Sequence, residues 1–486
     1  KVSVAGGSDK MKYLLSYSHI DEDGFMFRSG NKNDNIRLKL DHAIDKKVKV
    51  SANLNYTENK IFGMGTSEGG TYFNKMNHII TYRPTIGVKG EDWELVEKGE
   101  DPILEDVAGN VMQNPILSAK EEHIQNESRT FLSNGSLSYK LTNNLTFTSS
   151  VGMRYQTQRK ELFYGDESVI AKRTSINGSI RNIETQSFQT SNTLTFDKKL
   201  KKTKLNMMVG QEWVTAQFRW FEASAFNFPN DDIGLNDLSL GTVPGVPRSF
   251  QNNDDKLLSF FGRAFVNHNE RYLLTASLRA DASSKFGPNN KWGYFPSASF
   301  AWRVSEEPVI KELNLFSDLK FRVGYGVAGN NRIPAYGSLA ILGSLTYPLS
   351  GQSASGYAST QIPNKDLKWE ANKTFNIGAD IGFFDQRLAI TPEFYVNRSV
   401  DLLLNSQLPY TSGFPSIYRN IGETKNTGID LTISTVNIRN KNFSWSTNLN
   451  LSHNKNKVMA LSGEQSFLWG SGWGLNQTDY RVAVGE

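Results

Sequence analysis

The sequence predicts an all-β fold, a large antiparallel up-and-down barrel wall whose strands cross a membrane. Three observations predict it: alternation of apolar and polar residues at period two, connections that are short and long by turns, and abundant aromatics near strand ends. The alternation is clearest between Gly262 and Asn331. Here Tyr272, Leu274, Ala276, Leu278 and Ala280 alternate with Leu273, Thr275, Ser277, Arg279 and Asp281, so an extended chain has one apolar and one polar face. Ala298, Phe300, Trp302 and Val304 repeat the pattern against Ser297, Ser299, Ala301 and Arg303. Leu319, Phe321, Val323 and Tyr325 do the same against Lys320, Arg322, Gly324 and Gly326.

Taken in order, Lys1 to Ala5 and Met11 to His19 read as two strands joined at Gly6–Lys10. Asn35 to Ala43 turns at Asp45-Lys46-Lys47 into a strand with Val48, Val50, Ala52, Leu54 and Tyr56 on one face. From Glu58 to about Asn126 the alternation dissolves into a Gly-rich piece, a short helix expected around Tyr72 to Ile80, and a polar segment. Arg129 to Leu141 turns at Thr142-Asn143-Asn144 into a strand through Tyr155, and a polar loop is expected as far as Asn182. Strands ending at Phe196 and beginning at Lys204 flank the turn DKKLKK, and a loop is expected from Phe221 to Phe250.

After the central block comes a long loop, Asn331 to Lys368. Thr374 to Phe384 then turns at Asp385-Gln386-Arg387, and a further loop runs from Ser399 to Thr427. The last hairpin crosses NIRNKN, and Tyr480 to Glu486 reads as the start of another strand. This gives roughly sixteen strands. Because sequential antiparallel strands send every second connection to the same end, the short turns share one rim and the long loops the other. SEEPVIKELNLFSD is long for its place on the short-turn rim, and Pro392 interrupts a strand, where a bulge or the extended barrel wall would accommodate it. A soluble sandwich also alternates; it would bury Leu274, Phe321 and Trp445 between two sheets.

Composition agrees with strands as the membrane-crossing elements. Mean hydropathy is −0.45 and no apolar run reaches the roughly 18 residues of a spanning helix, whereas a barrel strand needs an apolar residue only at alternate positions. Aromatics make up 12% of the 486 residues, enough for interfacial girdles. With no cysteine, disulfides, thiolate catalysis and cysteine metal sites are excluded. The net charge of +5 is dispersed and does not indicate nucleic-acid binding.

No chemical motif carries an enzyme. Gly324 to Gly329 matches GxGxxG, but Asn330-Asn331-Arg332-Ile333-Pro334 follows instead of the helix that would hold a pyrophosphate. His19, His42, His78, His123, His268 and His453 are scattered. The acidic loops Asn230 to Asp237 and Asp254-Asp255 lack the spacing of an EF-hand. No catalytic residue, cofactor or metal is expected. Loop aromatics, among them Tyr347, Tyr357, Tyr410, Phe414, Trp469 and Trp473, are candidates to stack on sugar faces or pack on peptides, or else they form miniature cores of the loops themselves.

The series SVAGGSDKMKYLLSYSHIDEDG, NPILSAKE, RADASSKFGPNNKWGYFPSASFAWRVSEEP, LKFRVGYGVAGNN, LKWEANKTFNIGADIGFFDQRLAI and NIGETKNTGIDLTI resembles the barrel of SusC/RagA-type TonB-linked outer-membrane transporters, in the expected order along nearly the whole chain. The residues that carry it in the central block are Gly262, Arg263, Tyr272, Arg279, Asp281, Ser283, Phe286, Gly287, Phe295, Pro296, Ser297, Trp302, Gly324, Gly329 and Asn330. The resemblance implies a plugged barrel of about 22 strands in the Gram-negative outer membrane. It implies a SusD-like surface lipoprotein over the loops, uptake of oligosaccharides or peptides, and energy from the TonB complex through an N-terminal segment. Neither that segment nor a plug is found in residues 1–486, so the chain is expected to be an incomplete transmembrane barrel domain. A passive pore or adhesive barrel without energy coupling is the alternative.

Overall fold

A computed structural model describes residues 1–63, 79–80, 104–105, 111–112, 119–166, 168–349, 351–461, 466–469 and 480–486. The helix expected around Tyr72 to Ile80 lies almost wholly outside these residues. The main sheet has 17 strands, one of them the two-residue segment Val243–Pro244, and the other sixteen form a single antiparallel wall in chain order. We number them β1 (Val2–Gly7), β2 (Met11–Asp23), β3 (Gly30–Ala43), β4 (Val48–Phe62), β5 (Glu122–Lys140), β6 (Leu145–Tyr164), β7 (Asn177–Leu200) and β8 (Thr203–Phe226). The second half comprises β9 (Arg248–His268), β10 (Tyr272–Ser283), β11 (Trp292–Arg303), β12 (Phe316–Asn330), β13 (Glu370–Phe383), β14 (Leu388–Val400), β15 (Glu423–Arg439) and β16 (Ser444–Ala460). Each pairs with its neighbours in sequence; β1 and β16 are the two edges, and the sheet is open between them.

Register carries the apolar face from strand to strand. Leu274 stands opposite Phe300, Phe300 opposite Val323, Val323 opposite Ile377, Ile377 opposite Phe394, and Phe394 opposite Ile429. These side chains are not enclosed by a second sheet. Leu274 is 47% exposed, Phe321 47% and Trp445 53%, which excludes the sandwich and leaves an apolar band for lipid to cover.

Aromatic residues bound this band at both ends. Tyr272 and Trp302 stack at the short-turn side with ring centroids 6.4 Å apart, and Phe316 meets Phe383 at 5.2 Å. At the other side Phe260 stacks on Trp292 at 6.2 Å and Phe188 meets Trp213 at 5.9 Å. From Tyr294 to Trp302 the strand runs roughly 27 Å, or roughly 20 Å along the membrane normal after the usual tilt, close to the apolar height of an outer-membrane barrel.

The short turns are built by local hydrogen bonds. Asp45 Oδ1 accepts from the Lys47 and Val48 amides at 2.6 and 2.7 Å, Thr142 Oγ1 from Leu145 at 3.0 Å, and Asn440 Oδ1 from Phe443 at 2.7 Å. The long SEEPVIKELNLFSD connection contains a helical turn, α1 (Pro308–Glu312), opened by proline at its first position. At Pro392 the β13–β14 ladder is interrupted between Gly378 and Ile381, while Pro392 still stands opposite Leu431 on β15.

The observed strands are longer than the alternation indicates. β4 runs to Phe62, β5 begins at Glu122, β7 begins at Asn177, β8 runs to Phe226 and β9 begins at Arg248, so the ends of three expected loops are wall. The reason is that above the membrane both faces of a strand meet water. The backbone still pairs there, but the sequence no longer alternates. Asn331 to Lys368 is likewise not plain loop: Ile341–Leu349 pairs with Gln352–Gln361. Within Ser399 to Thr427, Leu403–Gln407 pairs with Ser416–Asn420 and β15 resumes at Glu423. Tyr480–Ala483 pairs with Ser466–Trp469 in a separate two-stranded ladder, and beyond it Gly485 and Glu486 exchange backbone hydrogen bonds with Val458 on β16 at 2.8 and 2.7 Å.

Candidate functional site

Lipid-facing apolar side chains at alternate positions force their neighbours onto the opposite, inner face of the wall, and there the sequence places charge. Arg279 on β10 donates through Nε to both oxygens of Asp281 at 2.7 and 3.0 Å. Its Nη2 reaches Ser259 on β9 at 2.8 Å and Glu212 on β8 at 3.2 Å, and its guanidinium lies 5.4 Å from the Phe261 ring centroid. One side chain therefore ties three strands, and Ser259 and Asp281 are buried beneath it. A second ladder crosses β12 to β14: Lys320 and Arg322 contact Asp380 at 3.3 and 3.2 Å, and Arg322 contacts Glu393 at 3.4 Å. On β3 to β6 the inner wall mixes charge with amides and hydroxyls: Lys39 pairs with Asp41 at 3.3 Å, Asn35 donates to Asn55 and Thr57, and Gln158 to Asn126.

Above the long-loop end of these strands, three connections lock together. Phe286, Ile333 and Leu367 come from the connections after β10 and β12 and are 2%, 4% and 0% exposed; Trp369, Leu403 and Tyr418 pack around them. Trp369 lies 5.3 Å from both Phe286 and Phe295 and donates through Nε1 to the Lys291 carbonyl at 2.8 Å. Glycine makes this packing feasible at Gly329, where an added Cβ would fall 2.1 Å from the Phe295 ring, and at Gly287, where it would meet the Lys365 carbonyl at 2.5 Å. Polar ties complete the platform. Asn331 donates to Ser283 Oγ at 3.1 Å, Asn364 to the Tyr418 carbonyl at 2.8 Å, and Asn420 to the Lys368 carbonyl at 2.7 Å. Glu370 accepts from Asn330 and from the Leu403 amide at 3.1 and 3.0 Å.

Elsewhere on this rim Phe163, Ala225 and Phe228 form a smaller core under the connections after β6 and β8, with Phe163 and Phe228 edge-to-face at 5.6 Å.

The family-bearing residues thus divide by place. Ser283, Phe286, Gly287, Phe295, Gly329 and Asn330 converge on the loop platform, and Arg279 and Asp281 on the inner wall. Ser297 meets Ser277 at 2.7 Å and Arg263 reaches Asn206 at 3.3 Å, also on the inner face. An added Cβ at Gly324 would meet Asn376 Oδ1 at 2.5 Å. Tyr272, Pro296, Trp302 and Gly262 lie in the lipid-facing register. Gly324 to Gly329 belongs to β12, with no helix following.

Of the candidate loop aromatics, Tyr347 and Tyr357 stand on the hairpin 341–361, 47% and 78% exposed, beyond the platform. Phe414 is half-buried. The side chains of Tyr410 and Trp469, and all of Trp473, lie outside the described residues. The platform residues that sequence patterning did not single out are Trp369, Glu370 and Asn420, all at or beside strand–loop junctions. An apolar or aromatic residue immediately outside an alternating run, as at Leu367 and Trp369, is the signal that would have found the apolar members; no pattern marks Glu370 or Asn420.

A row of charge marks where the membrane ends. Tyr56, Phe131 and Tyr155 are cross-strand partners on the outward face. Two residues further on, Glu58, Arg129, Thr157, Glu184 and Arg219 form the next row. Arg129 pairs with Glu127 at 2.7 Å and Glu58 at 3.3 Å, and Arg219 with Glu184 at 2.6 Å, so these cations are already compensated. Among the described residues no three acidic or histidine side chains converge as a metal site, and no helix is long and apolar enough to cross a membrane.

Residues 114–481 match the family model described as TonB dependent receptor-like, beta-barrel. A TonB-dependent receptor of Formosa agariphila is 31% identical over 476 residues, which is 96% of this chain and 43% of the relative. The TonB-dependent receptor SusC of Bacteroides thetaiotaomicron is 26% identical, aligned over 100% of this chain and 48% of its own length. Among solved structures, the RagAB peptide transporter superposes with a TM-score of 0.81 at 25% identity, over 99% of this chain and 52% of that one. The ferripyoverdine receptor of the outer membrane of Pseudomonas aeruginosa shares the fold at 13% identity, with a TM-score of 0.57 over 95% of this chain and 55% of that one. The chain spans about half the length of the relatives it matches.

Proposed function

The chain belongs to the TonB-dependent receptor-like β-barrel family, with SusC- and RagA-type relatives, and on that premise we propose that it forms the wall of an outer-membrane importer of bulky nutrients. The cargo we infer is an oligosaccharide or a peptide. A surface lipoprotein of the SusD type would close over the long-loop rim, and the inner-membrane TonB complex would supply energy through an N-terminal segment of the full-length receptor. The two free sheet edges, β1 and β16, call for further strands to close the barrel, because unpaired backbone is not tolerated in hydrocarbon.

The observation that carries this reading is the interlocked platform. Long loops that only shield a pore need no shared core, whereas a rim that captures cargo benefits from loops held in one arrangement above a polar wall. Deleting residues 341–361 from the full-length receptor is expected to abolish growth on the limiting oligosaccharide or peptide while the barrel still inserts. Loss of uptake on collapsing the proton gradient separates an importer from a passive pore. Growth unaffected by both treatments would overturn the proposal.

A further inference from the structure

The one long connection on the short-turn rim has a place in the membrane as well as in the sequence. Glu307 precedes α1, and its carboxylate accepts from Tyr272 Oη at 2.7 Å and from Trp302 Nε1 at 3.1 Å, with Arg271 at 3.0 Å on its second oxygen. Tyr272 and Trp302 are the stacked lipid-facing pair of the lower girdle. A carboxylate that meets both lies on the lipid-facing side of the wall, so α1 starts from that side, while Glu306 just before it pairs with Arg303 of the polar face.

The residues that follow are apolar and uncovered. Val309 is 72% exposed, Leu313 61% and Leu315 56%; Val309 and Leu313 are four apart and share one face of the helical turn. Leu315 leads directly into Phe316, which packs on Phe383. Of the charged groups around the turn, Arg303 and Lys311 pair with Glu306 and Arg271 with Glu307, while Glu312 is exposed to water or headgroups. An uncovered apolar stripe continuous with a lipid-facing girdle has one suitable occupant.

We propose that residues 304–315 form a foot that lies in the membrane interface, with Val309, Leu313 and Leu315 in the acyl-chain boundary of the periplasmic leaflet and Glu307 clamping the foot to the girdle. The inference rests on the outward face meeting lipid and is independent of what the protein imports. Functionally, the foot fixes the height of this part of the wall in the bilayer.

Residues 1–486 contain no cysteine, so only cysteines elsewhere in the full-length protein need replacement before single-cysteine labelling. In full-length protein reconstituted in phosphatidylcholine vesicles, an NBD fluorophore is attached to Leu313→Cys, and to Lys441→Cys on the β15–β16 short turn of the same rim as reference. The proposal expects 5-doxyl lipid to quench position 313 at least twofold more than position 441, and iodide to quench it correspondingly less. Should Leu313→Cys fail to insert, Val309→Cys gives the same reading. Equal iodide quenching at 313 and 441 without doxyl quenching would place the foot in water or against a periplasmic protein and overturn the proposal.

Discussion

Phe295 lies against Gly329 across the β11–β12 boundary so closely that a methyl group on Gly329 would sit 2.1 Å from its ring. That contact seats Trp369, and Trp369 seats the platform of three loops. Gly329→Ala is therefore expected to destabilise the full-length protein by about 1–3 kcal/mol and to make residues 331–369 more susceptible to protease. A second change, Phe295→Ala, relieves the clash, so the double variant should lose less than the sum of the singles. Strict additivity would show that the two residues are not in contact.

Arg279 bridges Asp281, Ser259 and Glu212 from a single guanidinium. Arg279→Lys keeps the charge but replaces the separate Nε and Nη2 donors by one ammonium, which cannot hold buried Asp281 and also reach Ser259 and Glu212 in that geometry. Thermal unfolding in detergent is expected to shift downward, by about 1–2 kcal/mol, for both Arg279→Lys and Arg279→Gln. A lysine variant as stable as the parent would mean that charge, not geometry, holds these strands.

The outward face predicts a depth profile. Ala276 pairs with Ala298 midway between the two aromatic girdles, so Ala276→Arg should cost about 2–4 kcal/mol on refolding into lipid. Ser277→Arg, one residue along and on the inner face, should cost far less. Similar penalties at both sites would contradict the assignment of faces.

Much of this architecture is legible in the sequence, within a physical limit. Strands such as β10 and β11 announce themselves because lipid on one side and water on the other write two compositions at alternate positions. Where β7 and β8 rise above the girdle, Gln186, Glu184 and Arg219 occupy the outward face, water lies on both sides, and the pattern ends although the ladder continues. The platform was hidden for a different reason. Phe286, Ile333, Leu367 and Trp369 are far apart in sequence and meet only because the wall brings three loops together. Their resemblance to a family was readable, but the packing that explains it was not.

The Glu307 clamp gives a pH dependence of defined sign. Hydrogen bonds from Tyr272 and Trp302 hold its carboxyl below the usual carboxylate range. A lowered folded-state value means that the stabilisation is complete above the unfolded value, about 4.3, and is lost as pH falls through the folded one. The parent should exceed Glu307→Gln in thermal midpoint by a constant amount above about pH 5, and the gap should close in stronger acid. A gap that widens on acidification would contradict the clamp.

Which solvent meets which face of β10 decides the architecture. Nitroxide labels placed singly at residues 274, 276 and 278, and at 275 and 277, in full-length protein in lipid vesicles read this directly by power saturation. The prediction is alternation, with the even positions relaxed by oxygen and the odd positions by a water-soluble nickel complex. Equal accessibility along the strand, or alternation of opposite phase, would contradict a wall that turns Leu274 and Leu278 to lipid.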